Sequence, residues 1–351
     1  MHILLVRFSS MGDVVLQTAT INWLRAFFGK DLSLTFLTSE EFVSLIDHHE
    51  GVQKVIGFNR RSGESWKDLT KKIDLLHEEN PIDLILDLHA TLRSFRLRCS
   101  YWTIPALTVD KRRWERFLLT KIKITAFKKL FNANIFGLTF QVERILNDFE
   151  AIFGDNRAVR RTQEFRRGPH QELTSLEKLE AYSVEGPYIV LAPSASFFYK
   201  RWPIQSFVTL AQTLLEKTTQ KVVILAGKDD DFCQEFNKIN NPRLINLQGK
   251  TNLKESMAIL SRSSLSIGND SGMNHIAEAY GVPCVTLFGP TDPRFGFAPH
   301  GNKSVTLSKE LYCKPCSTTG KKECYRDRHY CMEMISPQEV LSSALKILEI
   351  P

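Results

Sequence analysis

Short apolar runs separated by helix-period stretches set the rhythm of the chain. Residues 3–6, 32–37, 52–56, 82–88 and 104–109 are rich in Leu, Ile, Val and Phe, and each is too short for a helix. Between them, residues 14–28, 42–48 and 66–78 repeat apolar positions at helical spacing. Strands that alternate with helices imply βαβ units, so this half predicts a parallel sheet. Residues 154–180 break the rhythm: they are rich in Arg, Gln and Glu and poor in apolar periodicity, as a connection between domains would be. The rhythm then restarts, with strands expected at 188–192, 222–226, 244–247, 265–267 and 285–288. Helices are expected at 205–217, 230–237, 253–261 and 273–280, and a last one over 337–349 follows a Ser-Pro start. The pattern predicts two successive α/β domains, 1–165 and 166–351, whose parallel sheets face a central cleft, with the last helix packing back on the first domain.

Composition adds a limit. At 43% hydrophobic and 24% charged residues the chain has the balance of a protein that buries a core. No apolar run approaches the ~20 residues that span a bilayer. The apolar stretch at residues 3–6 stops at Arg7, too soon for a secretory signal. A cytoplasmic protein with reduced thiols is the expectation.

Charge is less even. Residues 91–130 hold eleven Lys and Arg against two acids, Asp110 and Glu115, a net +9 that exceeds the +7 of the whole chain. One stretch therefore carries the entire excess, which points to a local anionic partner: nucleic acid, an anionic lipid surface or a phosphorylated substrate.

Four motifs carry candidate chemistry. Ser9-Ser10-Met11-Gly12-Asp13 lies between the first strand and the first helix, where open α/β sheets bind ligands. Gly12 allows close backbone approach, and Asp13 stands at the helix start. The same spacing also fits a plain capping arrangement between Ser10 and Asp13. It is not GxGxxG, so it gives no support to a nicotinamide dinucleotide. Ser194-Ala195-Ser196 and Lys200-Arg201-Trp202-Pro203 follow the first strand of the second half. Hydroxyls and backbone N–H groups there cradle phosphate and Lys200 neutralises it, or else the basic pair is simply solvated ahead of a helix. Gly268 to His275 reads as strand, turn and helix start, an anion site by geometry and equally an N-cap by Asp270 or Ser271. Finally, Cys313, Cys316, Cys324 and Cys331 fall within 19 residues, a spacing compatible with one structural zinc or with plain thiols in an irregular loop.

Together these pieces resemble the ADP-heptose:lipopolysaccharide heptosyltransferases. The matching segments are RFSSMGD at 7–13, DLHATLRS at 87–94, APSASFFYKRWP at 192–203 and GNDSGMNHIAEAYGVPCVTLFGPTDP at 268–293. They keep the family's order from end to end, and the cysteine-rich tail is more similar to the second heptosyltransferase than to the first. The resemblance implies a GT-B fold of two Rossmann-like domains and inverting transfer of heptose from ADP-heptose to the inner core. It implies no metal at the reacting centre.

On matching positions, the resemblance makes Asp13 the general base and puts Ser10, Gly12 and Arg93 at the acceptor. It puts Ser194, Ser196, Lys200, Asp229, Asp270, Ser271, Gly272, Met273 and His275 at the donor. Asp229 matches less well, because Lys228 and three consecutive Asp residues depart from the pattern. The partners implied are a nucleotide-sugar donor, an acidic lipid-linked acceptor and the anionic inner face of the bacterial inner membrane. A transferase using another nucleotide sugar is the alternative within the fold. A nucleic-acid-binding protein is the alternative outside it, since Phe95, Tyr101, Trp102, Trp114, Phe117 and Phe127 are interleaved with the cations of 91–130. No RNP, KH or helix-turn-helix signature accompanies them, and no nucleic-acid partner is expected.

Overall fold

The computed structural model describes residues 1–111, 113–121 and 182–350. The expected connection at 154–180, the domain boundary at 165 and residues 112 and 122–130 of the basic stretch lie outside the described residues. The described residues form two compact units: 1–111, and 113–121 with 182–350.

In the first unit, β1 (His2–Val6), β2 (Ser33–Ser39), β3 (Lys54–Phe58), β4 (Leu84–Asp87) and β5 (Ala106–Thr108) form a sheet in the order β3-β2-β1-β4-β5, with every pair parallel. β1 is buried at every position, because a parallel sheet is covered on both faces. Helices α1 (Met11–Phe28), α2 (Trp66–Glu79) and α3 (Leu92–Ser100) connect the strands. α2 starts where Ser65 accepts from the Asp68 N–H and the Asp68 carboxylate takes the Ser65 N–H at 2.9 Å, a capping box. Its Leu69, Ile73 and Leu76, spaced four and three apart, enter a core with Leu4, Val6, Phe8 and Ile85.

In the second unit, β6 (Tyr188–Ala192), β7 (Lys221–Ile224), β8 (Leu244–Asn246), β9 (Leu265–Asn269), β10 (Cys284–Phe288) and β11 (Val305–Ser308) run in the order β11-β10-β9-β6-β7-β8, again all parallel. The helices are α4 (Arg113–Lys121), α5 (Ile204–Lys217), α6 (Leu253–Arg262), α7 (Gly272–Ala279), the single turn α8 (Tyr330–Glu333) and α9 (Pro337–Ile347). α9 puts Val340, Leu341 and Ala344 into the core of this unit beside Leu210 and Leu214 of α5. α4 brings Leu119 against Phe295.

Two expected helices are tighter coils. Residues 40–45 and 231–238 are 3-10 helix, in place of the α-helices expected over 42–48 and 230–237. In the second, Cys233 and Phe236 are the buried residues, and their three-residue spacing stacks them directly above one another in a coil of three residues per turn. α3 and β11 were not expected.

Both sheets reverse strand order once, at β1/β4 and at β6/β9. Ligands bind outside the carboxyl ends of the strands at such switch points. The two units thus each offer one such position, and the motifs fall on both.

Candidate active site

At the first switch point the chain leaves β1 through Arg7, Phe8 and Ser9 and enters α1 with Ser10 as N-cap. Asp13 Oδ2 accepts from the Ser10 N–H at 3.1 Å and the Ser10 hydroxyl at 2.9 Å, and pairs with Arg7 Nη2 at 2.7 Å. Arg7 is itself anchored, its Nη1 donating to the Leu88 carbonyl at the end of β4. Asp13 is therefore both a capping residue and a fixed carboxylate, and its Oδ1 takes no part in these contacts. Burial pushes the Asp13 carboxyl up, but the Arg7 charge and the bonds from Ser10 outweigh it, so the group titrates below its ordinary value. It is ionised at neutral pH. Gly12 is buried in the first turn of α1.

Across from β1, the fully buried Asp87 accepts the N–H groups of His89 and Ala90 at 2.9 and 2.8 Å and pairs with Arg98 Nε at 3.2 Å. That turn sets the His89 ring edge-on to Phe8, with centroids 5.8 Å apart. Burial, then the charges of Arg7, Lys111 and Arg93, hold His89 down to about 4, so its imidazole is neutral at pH 7. Arg93 lies over the Phe8 ring at 5.2 Å, and burial followed by the charge of Arg60 lowers its own pKa. Arg7 thus lies beside Asp13, and Arg7, Lys111 and Arg93 together put positive charge around His89.

At the second switch point, Ala192 of β6 pairs with Gly268 of β9. A Cβ on Gly268 would lie 2.7 Å from the Ala192 carbonyl oxygen, so only glycine lets the strands close here. Buried Asn269 donates to the Pro193 carbonyl at 2.7 Å and accepts the Trp202 N–H at 2.9 Å, tying the 193–202 loop to the end of β9. Lys200 Nζ pairs with Asp270 Oδ2 at 2.7 Å, the side chains being 15% and 4% exposed. Thr291 Oγ1 donates to the same oxygen at 2.9 Å. Ser271 caps α7 in extended conformation, and its Oγ is buried without a hydrogen-bond partner among the described residues. Gly272 and Met273 contribute the first N–H groups of that helix, which its own turns leave unsatisfied. His275, one turn on, is buried with its ring centroid 6.2 Å from that of Phe297.

The other expected donor residues differ in setting. Ser194 Oγ donates to Asp230 Oδ2 at 2.6 Å, and the Gly227 N–H donates to the same oxygen at 2.9 Å. Asp230 therefore joins the β6 and β7 loops, whereas its neighbour Asp229 is exposed, as is Ser196. Arg201 pairs with Asp230 at 3.6 Å and covers the Phe232 ring at 4.7 Å. Arg7, His89, Asp230 and Thr291 were not singled out from the sequence. For Asp230 a signal existed: an Asp three residues past a glycine at a strand end is placed to accept that glycine's N–H.

Cys313, Cys316, Cys324 and Cys331 line one small pocket with Lys314 and His329. Burial pushes the Cys331 thiol up to about 12, with Lys314 pulling it back and the other three thiols adding to the rise. Lys314 is buried and donates to the Phe288 carbonyl at 2.9 Å and the Ser308 hydroxyl at 2.6 Å. Four thiols suit a soft divalent cation. As they stand, however, no three His, Cys, Asp or Glu groups among the described residues come together closely enough to hold an ion.

Two Rossmann-like parallel sheets, each with polar chemistry at its switch point, are the architecture of the GT-B glycosyltransferases. The chain belongs to glycosyltransferase family 9 (heptosyltransferase), whose sequence profile matches residues 125–325. It is 33% identical over 135 residues to lipooligosaccharide heptosyltransferase 2 of Haemophilus influenzae, a match covering 36% of this chain and 39% of that relative. It is 23% identical over 353 residues to lipopolysaccharide heptosyltransferase 3 of Escherichia coli, covering 96% and 95% of the two chains. The solved E. coli ADP-heptose LPS heptosyltransferase II superposes with a TM-score of 0.70 at 21% identity over 99% of both chains.

Proposed function

We propose that the chain transfers heptose from ADP-heptose to the lipopolysaccharide inner core, with inversion at the anomeric carbon and Asp13 as general base. The observation that carries this reading is the division of labour between switch points. One holds an ionised carboxylate beside an arginine, and the other holds a lysine beside a helix N-terminus. In the reaction, the acceptor hydroxyl attacks the anomeric carbon from the side opposite the diphosphate. Its proton passes to the Asp13 carboxylate, and the bond to the diphosphate breaks with its electron pair leaving on the phosphate oxygen. Lys200 and the first N–H groups of α7 stabilise that departing charge. The names of the relatives support heptose as the sugar and ADP as the nucleotide. The test is incubation with ADP-heptose and a defined inner-core acceptor, read by mass spectrometry as the gain of one heptose. No transfer, together with a thermal shift from UDP and none from ADP, would overturn the donor assignment.

The acceptor side is proposed to meet an anionic lipid surface at the inner face of the bacterial inner membrane, with the protein cytoplasmic and peripheral. No helix of the described residues is long and apolar enough to cross a membrane. α3 and the turn after it expose Leu92, Phe95 and Trp102 beside Arg96, apolar and cationic groups together. Vesicles containing anionic lipid are expected to bind the protein, less so as salt rises. Arg96→Ala should weaken binding about fivefold, since one cation near such a surface contributes ~1 kcal/mol. Equal, salt-insensitive binding to neutral and anionic vesicles contradicts the proposal.

One structural zinc on Cys313, Cys316, Cys324 and Cys331 is proposed from their number and spacing; the four thiols line one pocket and would have to draw together to hold it. Protein purified without chelator should contain one equivalent, and stripping it should lower the melting temperature. Zinc far below one equivalent, with four freely titrating thiols in folded protein, rules the metal out.

A further inference from the structure

The cysteine-rich loop, residues 313–331, touches the donor site at several points. Gly320 is buried at φ +81°, and a Cβ there would lie 2.3 Å from Cγ and 2.6 Å from Cδ of Lys200. These atoms belong to the stem of a lysine whose far end is held by Asp270, so the stem has little room to yield. The Gly320 N–H donates to Ser317 Oγ at 2.8 Å, which fixes the turn against the lysine. The same loop reaches the other partner of the ion pair. The N–H groups of Cys316 and Ser317 donate to the Pro290 carbonyl at 3.1 and 3.3 Å. The next residue, Thr291, donates to Asp270. Beside Lys200 in the chain, Tyr199 lies edge-on to the His329 ring, with centroids 5.5 Å apart. The loop therefore bears on the stem of Lys200, on its neighbour and on the segment that anchors its counter-ion.

We infer that the 313–331 loop positions the Lys200 ammonium for the donor's diphosphate, and that Gly320 is the positioning residue. This rests on the reading of Lys200 as a phosphate-binding group. A side chain at 320 displaces the stem of Lys200, so the ammonium leaves the place where it meets both Asp270 and the phosphate. The loop then belongs to the donor site although none of its residues need touch the donor.

The test is the affinity for ADP, by calorimetry, of the parent, Gly320→Ala, Lys200→Ala and the double variant. Gly320→Ala is expected to weaken ADP about tenfold in the parent background and by less than about twofold in the Lys200→Ala background. In turnover, the KM for the donor should rise while that for the acceptor stays. Positive φ strains alanine at 320, so Ser317→Ala is measured beside Gly320→Ala. Ser317→Ala, which loosens the same turn without straining the backbone, then answers the question by a smaller loss that also vanishes in Lys200→Ala. An equal loss in both backgrounds means general damage and overturns the inference. Loss in Lys200→Ala, with none in folded Gly320→Ala or Ser317→Ala, overturns the loop's role alone. No loss in Lys200→Ala overturns the phosphate reading and the loop's role together.

Discussion

Asp13→Asn is expected to lower kcat by about 10²–10⁴-fold while ADP affinity stays near that of the parent. The substitution keeps the shape, and the amide oxygen still accepts from the Ser10 N–H and hydroxyl, so the start of α1 survives. Two things are lost: a basic oxygen for the acceptor proton, and the charge facing Arg7. The second costs stability, because the Arg7 side chain is only 11% exposed and keeps its contact to Leu88 without a counter-ion. Activity is therefore compared at a temperature where circular dichroism shows the variant folded.

Arg7→Gln separates the two effects. It leaves the carboxylate but removes the charge that depresses its pKa, so the acid limb of the kcat profile should move to higher pH. A depressed carboxylate contributes stability that is fully present above its ordinary value and lost as pH falls through the folded value, a loss that Arg7→Gln shrinks. Folded Asp13→Asn protein that turns over within a few-fold of the parent would leave Asp13 as a capping residue only.

How much of this was legible beforehand depends on how far along the chain each interaction reaches. Central strands such as β1 and β6 are buried at every position, so they appear as unbroken apolar runs. β11 lies at a sheet edge and is only partly buried, which leaves Val305–Ser308 without such a run. α3 buries only Ser94 and Leu97, and arginines occupy three of its nine positions, so charge hides its helical period. The motifs at the strand ends were readable because glycine, serine and aspartate at a strand-to-helix turn have a local backbone reason to be there. The pairings that make them a site were not. Lys200 meets Asp270 from seventy residues away, Arg7 reaches Leu88 over 81 positions, and Gly320 closes on a lysine 120 residues earlier. Asn269 and Asn274 illustrate the same limit. One ties the Pro193 and Trp202 backbone and the other bonds Ser266 and Thr286 in the core, partners that the motif itself does not name.

Lys200→Ala is expected to weaken ADP binding by at least tenfold. A charge-assisted contact to phosphate contributes about 1.5–3 kcal/mol, or roughly 10- to 150-fold in affinity. The ion pair with Asp270 raises the expectation. Without the ammonium, a carboxylate that is 4% exposed keeps, among the described residues, the Thr291 hydroxyl and stands as an uncompensated anion beside the incoming diphosphate. The loss should then exceed that of the contact alone, and Asp270→Asn in the Lys200→Ala protein should restore part of it. The double variant also distinguishes two roles for the lysine. If Lys200 touches phosphate directly, the double variant still binds ADP more weakly than Asp270→Asn does. If Lys200 only neutralises Asp270, those two proteins bind ADP alike, and the departing diphosphate is stabilised by the N–H groups of α7 without it. Calorimetric titration of the parent, Lys200→Ala, Asp270→Asn and the double variant with ADP reads both. An unchanged ADP affinity in folded Lys200→Ala removes the lysine from the phosphate site altogether.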